Sequence, residues 1–339
     1  MLRLDDDWVW DSWPLHEPDD EHPWHLFFLY APRALRDPVL RHHHARIGHA
    51  AGPDLRTWTR LPDVVGPGPA GSVDDVATWT GSTVRGPDGS WHTYYTGLSR
   101  DTATGCEVQR VVRAVSDDLR TWRKDPTMPP LAADPRWYAT TDSCADWPDE
   151  HWRDPWVYRD PDGDGWHLLV TARARPADHP DLHVDDLGVL GHAWSPDLSG
   201  WQVRPPLTRP GAGFGQLEVP QLVRVGASWW LVFSCAGAQL APQRDAESSS
   251  GHWVVRDVEP TGPYDVAEAR LLTDESLYAG RVVETADGPA VLAFDSVWGS
   301  DSGGSIGDPV PLPLDLSPSH GAPAPPRGDN SRSRGARDS

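Results

Sequence analysis

Three acidic residues stand in segments that are otherwise apolar or aromatic. Asp11 lies in "VWDSWPL", Asp154 in "WRDP" and Glu218 in "LEVP", and Glu218 is the only charged residue from Phe214 to Val223. An ionised carboxylate normally stays in water, so its place among apolar residues needs a reason. Two carboxyl groups held in unequal environments can cleave a glycosidic bond, because one stays ionised while the other stays protonated.

The elements that must position these acids are short strands. Runs rich in Trp, Val, Leu and Tyr are separated by Gly, Pro and Asp, which is typical of antiparallel sheets. The 35 prolines fit loops better than helices. Amphipathic helical periodicity is almost absent, so we expect an all-β protein.

A repeat organises the strands. The pattern Asp-Leu-x-x-Trp begins at Asp54, Asp118 and Asp197, and "TGPYDV" (261–266) is a degraded fourth copy. Upstream of each copy lie a strand, an Asp/Gly turn and an aromatic-rich strand, and "YAGRVVETADGPAVLAF" supplies a fifth such unit. Four-stranded units repeated around an axis form a propeller. The sequence therefore predicts a five-bladed β-propeller over residues 1–316.

Other parts of the chain are assigned structural roles. We expect the Trp of each full repeat to pack between blades, at Trp58, Trp122 and Trp201. Residues 317–339 are rich in Pro, Gly, Ser and Arg without an apolar face, which predicts a disordered tail. The "DPDGDG" segment (160–165) is interpreted as a hairpin turn, because the twelfth position of a calcium-binding loop would be Thr171 instead of Glu.

The first strand of each unit lines the central funnel of a propeller and is the place to look for function. These strands carry, in chain order, Trp10 and Asp11, then Trp79, Thr80 and Ser82, then Arg153 and Asp154, then Glu218, and finally Tyr278 and Arg281.

These segments resemble a known group of proteins. "VWDSWPL", "WTGST", "WRDP", "LEVP" and "LYAG" are similar, in order and one per blade, to the signatures of the five-bladed glycoside hydrolases of families 68 and 32, the levansucrase and invertase group. One departure is Thr80, where family 68 has Ser in its Trp-Ser-Gly-Ser element.

The resemblance implies a role for each acid. It makes Asp11 the nucleophile, Glu218 the general acid/base and Asp154 the stabiliser of the transition state. It further implies a retaining hydrolase of β-fructofuranosides such as sucrose, with fructosyl transfer left open. The side chains expected to contact substrate are Trp10, Trp79, Thr80, Ser82, Arg153, Tyr278 and Arg281.

Two alternatives remain open at this stage. Related family 43 propellers use an inverting carboxyl pair on arabinofuranosides or xylosides. A propeller that only binds sugar, without catalysis, is the second alternative.

Composition restricts the partners. The net charge is −20, from 50 acidic and 30 basic residues, which disfavours nucleic acid and anionic membranes. Nineteen tryptophans suit stacking on sugar rings, so a small neutral saccharide is the expected partner. No cofactor or metal is expected. In "RHHHARIGH", His42 and His44 could share a strand face, but a solvated loop is the preferred interpretation.

The cysteines and the N-terminus suggest a location. Cys106, Cys144 and Cys235 follow no paired spacing, so we expect reduced thiols. The first residues do not form a basic segment followed by an apolar one. Both observations predict a cytoplasmic protein.

Overall fold

A computed structural model describes residues 1–143, 147, 149–244, 250–273, 276–298 and 303–312. These residues form nineteen β-strands and seven short 3-10 helices, and no α-helix occurs among them. The strands make five sheets, so the predicted five-bladed β-propeller is confirmed. The tail expected at 317–339 lies outside the described residues. None of the helices in the described part of the chain is long and apolar enough to span a membrane.

Each blade is an antiparallel sheet in which strands pair in chain order. The first contains β1 (Asp7–His16), β2 (Trp24–Pro32), β3 (Arg46–Gly52) and β4 (Thr59–Val65). The second contains β5 (Ala77–Arg85), β6 (Trp91–Arg100), β7 (Glu107–Ser116) and β8 (Arg123–Lys124). The third contains β9 (Trp152–Arg159), β10 (Trp166–Arg173), β11 (Gly188–Ser195) and β12 (Gln202–Arg204). The fourth contains β13 (Glu218–Val225), β14 (Ser228–Cys235), β15 (Gly251–Val255) and β16 (Arg270–Leu271). The described part of the fifth contains β17 (Leu277–Thr285), β18 (Gly288–Asp295) and β19 (Val310–Pro311).

The 3-10 helices lie in the connections between strands. They span Arg33–Leu35, Pro38–His44, Thr141–Ser143, Pro176–Asp178, Val184–Asp186, Gly237–Gln239 and Val266–Glu268.

The strands are buried on both faces because each sheet packs between two neighbours. In β6, "WHTYYTGLSR", the first eight residues are all buried, so the usual alternation of apolar and polar side chains is lost.

Tight turns join the strands. Gly226 adopts φ 61° in the two-residue turn between β13 and β14, a conformation that glycine takes at little steric cost. Residues 160–165 join β9 to β10, which confirms the predicted hairpin.

The innermost strands close the ring. Each of β1, β5, β9, β13 and β17 contacts the next, and β17 contacts β1. The N-terminal segment also pairs with the end of the fifth blade. The Leu2 N–H donates to the Ile306 carbonyl at 2.9 Å and the Ile306 N–H donates back at 3.0 Å. Both ends of the described chain thereby hold the first and fifth blades together.

The Asp-Leu-x-x-Trp repeat joins blades. The Asp118 carboxylate accepts hydrogen bonds from the backbone N–H groups of Arg120 and Thr121. This turn places Trp122 edge-on against Phe27 of the first blade, with the ring centroids 5.6 Å apart. Trp201 contacts Tyr94 of the second blade in the same way at 5.5 Å. The predicted position between blades is confirmed for these two tryptophans, and Trp58 packs on the same core as Trp122.

All five innermost strands contain a break in register at a similar depth in the channel. It falls at Asp11 in β1, at Thr80 in β5, at Asp154–Pro155 in β9, at Val219–Pro220 in β13 and at Ala279–Gly280 in β17. Positive φ angles mark the first bulged residue in four of them, namely Asp11 (32°), Asp154 (56°), Val219 (50°) and Ala279 (47°). A bulge bends the strand and redirects its side chains. The acids of the sequence motifs therefore sit at or next to the bulges.

Replacing Trp122 tests the joint between the first two blades. Its indole N–H is buried and meets no acceptor among the described residues, so the ring contributes packing without a hydrogen bond. We expect Trp122→Ala to lower the free energy of unfolding by about 3 kcal/mol and Trp122→Phe by about 1 kcal/mol. Urea denaturation followed by circular dichroism measures both. Equal losses in the two variants would contradict this account.

Candidate active site

A cavity of about 680 Å³ opens at the end of the channel formed by the innermost strands. Its size is typical of small-molecule sites. Asp11 of the first blade, Asp154 of the third and Glu218 of the fourth all line it. Residues far apart in the chain thus meet in one cavity, and each acid has a different set of partners.

Asp11 has one hydrogen-bond partner and a strongly perturbed carboxyl group. The Thr80 hydroxyl donates to Asp11 Oδ2 at 2.5 Å. Burial raises the pKa of Asp11 to about 7, and the negative charges of Asp154 and Glu218 add to this effect, whereas Thr80 and Arg41 oppose it. Within the described residues Oδ1 accepts no hydrogen bond, so this oxygen faces the cavity without a protein partner.

Asp154 is held rigidly through one oxygen. Its Oδ2 accepts from the Thr171 hydroxyl at 2.8 Å and from the Val219 N–H at 3.2 Å, and Arg153 Nε lies 3.6 Å away. The side chain is only 5% exposed. Burial raises the pKa of Asp154, while the neighbouring Arg153 guanidinium acts in the opposite direction. The position of this acid is therefore determined by contacts to the third and fourth blades.

Glu218 is held through both oxygens and remains more exposed, at 20%. Arg153 Nη2 donates to Oε1 at 2.9 Å, and the Tyr278 hydroxyl donates to Oε2. Although burial works against its charge, the pKa of Arg153 is raised by Glu218 and Asp154. Burial and the Glu218 charge also hold the pKa of Tyr278 well above its usual value, so this phenol stays a hydrogen-bond donor.

Two indole rings form part of the cavity wall, as the sequence suggested for Trp10 and Trp79. Trp79 Nε1 donates to the His42 carbonyl at 2.6 Å. The His42 ring lies edge-on between the two, at 6.4 Å from the Trp10 ring and 6.2 Å from the Trp79 ring. These rings offer flat apolar surface beside the acids, which suits the C–H face of a sugar.

Two of the residues expected to contact substrate lie outside the cavity lining. The Ser82 hydroxyl accepts a hydrogen bond from the Val157 N–H at 2.9 Å, which joins the second blade to the third. Arg281 is fully buried in the channel, where it donates to the carbonyls of Val219 at 3.1 Å and Pro220 at 2.6 Å. The structure therefore does not bring Ser82 and Arg281 together with the other predicted contacts.

The interpretation of "RHHHARIGH" as a solvated loop is wrong for its first half. Arg41, His42 and His43 line the cavity, because the connection from β2 to β3 folds over the channel mouth. Arg41 stacks on Trp298 at 4.0 Å, and burial lowers the pKa of His42 to about 3. His43 pairs with Glu107 at 2.5 Å. The sequence marked this segment only by its composition, which does not tell which side of a loop faces a cavity.

Other residues that line the cavity were not predicted from the sequence. Gln216 and Gln109 accept hydrogen bonds from the Arg153 guanidinium, the latter at 3.4 Å. Trp147 and His151 also line the cavity, and Trp147 Nε1 donates to His151 at 2.7 Å. Gln216 could have been found, since it lies two residues before Glu218 in an uncharged segment. No motif singles out Gln109 or Trp147.

The expectation of reduced thiols is confirmed for Cys235 and wrong for Cys106, while Cys144 lies outside the described residues. Cys106 is disulfide-bonded, whereas Cys235 is a buried free thiol. Burial raises the pKa of Cys235 far above its usual value, which makes it unreactive.

A five-bladed propeller with three acids at one end of its channel defines a class of carbohydrate-active proteins. The family model described as "Glycosyl hydrolases family 32 N-terminal domain" matches residues 19–298. The chain belongs to glycosyl hydrolase family 32, which confirms the resemblance seen in its motifs. Asp11 precedes the matched range.

Curated relatives agree with this membership. The chain is 26% identical over 256 residues to proteins named extracellular sucrase from two strains of Zymomonas mobilis. The match covers 66% of this chain and 60% of each relative, so less than two thirds of the relatives' length is represented.

Solved structures share the fold. An inulosucrase from Halalkalicoccus jeotgali bound to kestose superposes with a TM-score of 0.67 at 22% identity, covering 87% of this chain and 79% of that one. A family 32 β-fructofuranosidase from Bombyx mori superposes with a TM-score of 0.64 at 18% identity, covering 90% of this chain and 60% of that one. A levansucrase from Gluconacetobacter diazotrophicus superposes with a TM-score of 0.61 at 17% identity, covering 90% of this chain and 78% of that one. At these identities the likeness supports the propeller fold alone.

The predicted cytoplasmic location is wrong. The matching curated relatives are named as extracellular proteins. The disulfide at Cys106 is also a bond that persists in oxidising compartments. The scattered cysteine spacing misled the prediction, because disulfide partners need only be close in the folded chain.

Ionising Asp11 opposes folding. Its pKa is about 7 in the folded chain and near 4 in an unfolded one, so the stability present below pH 4 is lost as the pH rises to 7. We expect Asp11→Asn to be more stable than the parent by about 4 kcal/mol at pH 8, with the difference shrinking towards pH 4. Urea denaturation at both pH values checks this. A difference independent of pH would show that Asp11 ionises normally.

Proposed function

We propose that this chain hydrolyses β-fructofuranosides, such as sucrose and short fructans, with retention of configuration. The observation that carries the proposal is the meeting of Asp11, Asp154 and Glu218 in one cavity, each with distinct hydrogen-bond partners. Retaining glycosidases need a nucleophile and an acid on either side of the scissile bond. We assign Asp11 as the nucleophile and Glu218 as the acid, as the resemblance of their motifs implies.

In the first step Asp11 attacks the anomeric carbon through Oδ1, while the Thr80 hydroxyl holds Oδ2. Glu218 gives its proton to the leaving oxygen, so the glycosidic bond breaks as the fructosyl–Asp11 ester forms. Arg153 and Tyr278 keep the Glu218 carboxyl oriented during this transfer. Forming the ester also removes the negative charge of Asp11 that faces Glu218.

In the second step Glu218 takes a proton from water, and the resulting hydroxide attacks the anomeric carbon and releases Asp11. Asp154 does not react. Its Oδ2 is occupied by Thr171 and Val219, and its Oδ1 accepts no hydrogen bond within the described residues. That oxygen is free to bind sugar hydroxyls as positive charge develops on the ring, which is the role we propose for Asp154.

The substrate class rests on the relatives and on the cavity. Relatives named sucrase, inulosucrase and β-fructofuranosidase share the sequence or the fold. The net charge of −20 disfavours anionic substrates, and Trp10 and Trp79 suit a neutral sugar ring. We also propose an extracellular setting, in keeping with the curated relatives.

Removing either reacting carboxyl should abolish turnover. We expect the parent chain to release fructose from sucrose or kestose, and Asp11→Asn and Glu218→Gln each to lower kcat by at least about 1000-fold. Fructose release is measured enzymatically, and proton NMR of the first-formed anomer tests retention. Asp117→Asn is the control, because this exposed acid lies away from the cavity and should leave kcat unchanged.

Three outcomes would contradict the proposal. Release of arabinose from arabinofuranosides without action on sucrose would place the chain in the inverting, family 43 type of chemistry. Sugar binding without any product would make it a binding protein. An inverted first product would exclude Asp11 as nucleophile.

The Thr80 hydroxyl should determine the acid limit of activity. It lowers the pKa of Asp11, which must be ionised to attack, so losing this hydrogen bond raises the pKa above about 7. We expect Thr80→Val to shift the acid limb of the kcat/KM profile to higher pH by roughly 0.5 to 1 unit. Thr80→Ser keeps the hydroxyl and should retain the parent profile. A shift in both variants would point to packing as the cause.

A further inference from the structure

Arg281 occupies the centre of the channel, beneath the cavity floor. Its guanidinium donates to the Val219 and Pro220 carbonyls of the fourth blade, at 3.1 and 2.6 Å, and to the Gly81 carbonyl of the second blade at 3.4 Å. It also lies 4.8 Å from the Trp156 ring of the third blade. Arg281 belongs to the fifth blade, so one side chain connects its own blade to three others.

The contacts of Arg281 coincide with the segments that carry the site. Val219 and Pro220 directly follow Glu218, Gly81 directly follows Thr80, and Trp156 lies two residues after Asp154. Val219 and Pro220 form the bulge of β13, where register is lost. Carbonyls at a bulge lack their ladder partners, and a fully buried arginine supplies the missing donors.

Charged groups surround Arg281 from several elements. Asp11 of β1 and Asp154 of β9 attract its charge, and His252 of β15 lies on the fourth-blade side. The carboxyl of Asp11 also faces Glu218 and Arg41, while that of Asp154 faces Arg153 and Glu218. Burial lowers the pKa of Arg281 to about 10, so it stays charged at neutral pH.

We propose that Arg281 is a positioning residue, which fixes the bulge at Thr80 and the bulge next to Glu218 and supplies positive charge beneath Asp11 and Asp154. This assignment rests on the proposed function, since it specifies how the same site is kept in order. A direct contact with substrate is not part of it, because Arg281 is 0% exposed and does not line the cavity.

The experiment compares Arg281→Met, Arg281→Lys and a matched control, Gln221→Met. Gln221 also joins the fourth and fifth blades, since Nε2 donates to the Val282 carbonyl at 2.9 Å and Oε1 accepts from the Val282 N–H at 2.7 Å. It carries no charge and does not line the cavity. Its loss should loosen the ring to a comparable extent without touching the electrostatics of the acids.

With sucrose, Arg281→Met should lower kcat by about 100-fold or more, leave KM within about threefold, and move the acid limb of kcat/KM to higher pH. Arg281→Lys should keep the parent acid limb, because the charge remains, and recover part of kcat. Gln221→Met should retain the parent pH profile and a kcat within about threefold. A raised KM with unchanged kcat in Arg281→Met would overturn the proposal in favour of substrate contact.

A second measurement does not depend on turnover. The apparent pKa of Asp11 is obtained from the pH dependence of the stability difference between each protein and its Asp11→Asn derivative. It should rise in Arg281→Met and stay at the parent value in Arg281→Lys and Gln221→Met. An equal rise in Gln221→Met would overturn the proposal. If no sugar is cleaved but this pattern holds, the proposed function fails while the placement of Arg281 stands.

Discussion

The structure depends on a break in register that recurs in the innermost strand of every blade. Each bulge frees a peptide N–H from its own sheet, and in three blades that group donates to a side chain of the preceding blade. Asp154 N–H donates to Thr96, Val219 N–H to Asp154, and Ala279 N–H to Ser234. The same bulges turn side chains towards the channel, so the contacts that join the blades and the contacts that present the acids are made by the same few residues.

The cost of this arrangement is electrostatic. Three carboxyl groups line one cavity, where the charges of Asp154 and Glu218 disfavour the ionisation of Asp11 and the charge of Glu218 disfavours that of Asp154. Three arginines compensate from different directions: Arg153 between Asp154 and Glu218, Arg41 at the mouth and Arg281 beneath the floor. The left-handed backbone at Asp11, Asp154 and Val219 adds strain of about 1 kcal/mol or more at each position. Stability and function therefore oppose each other at this site, and the rest of the ring has to stabilise it.

Much of the site could be predicted because the relevant signals are local. An acid in an apolar segment is visible in the sequence, and one such segment per repeat unit suggests one position per blade. The failures share a different cause. Whether Ser82 and Arg281 reach the cavity or the neighbouring blade depends on distances across the channel. Whether the His42 segment is solvated depends on how the connection from β2 to β3 folds over the mouth. The pairing of Cys106 likewise depends on proximity in space, which spacing along the chain does not report.

By itself, the sequence determined the repeat, the five-bladed propeller and the identity of the three acids, because strand periodicity, turn residues and buried charge all act over a few neighbouring residues. Only the tertiary structure decided which side chains share the cavity with them. Arg41, Gln109, Trp147 and Gln216 come from strands and loops of different blades, and Arg281 is withdrawn beneath the floor. Such contacts arise when the ring closes, and closure is a property of all five blades together.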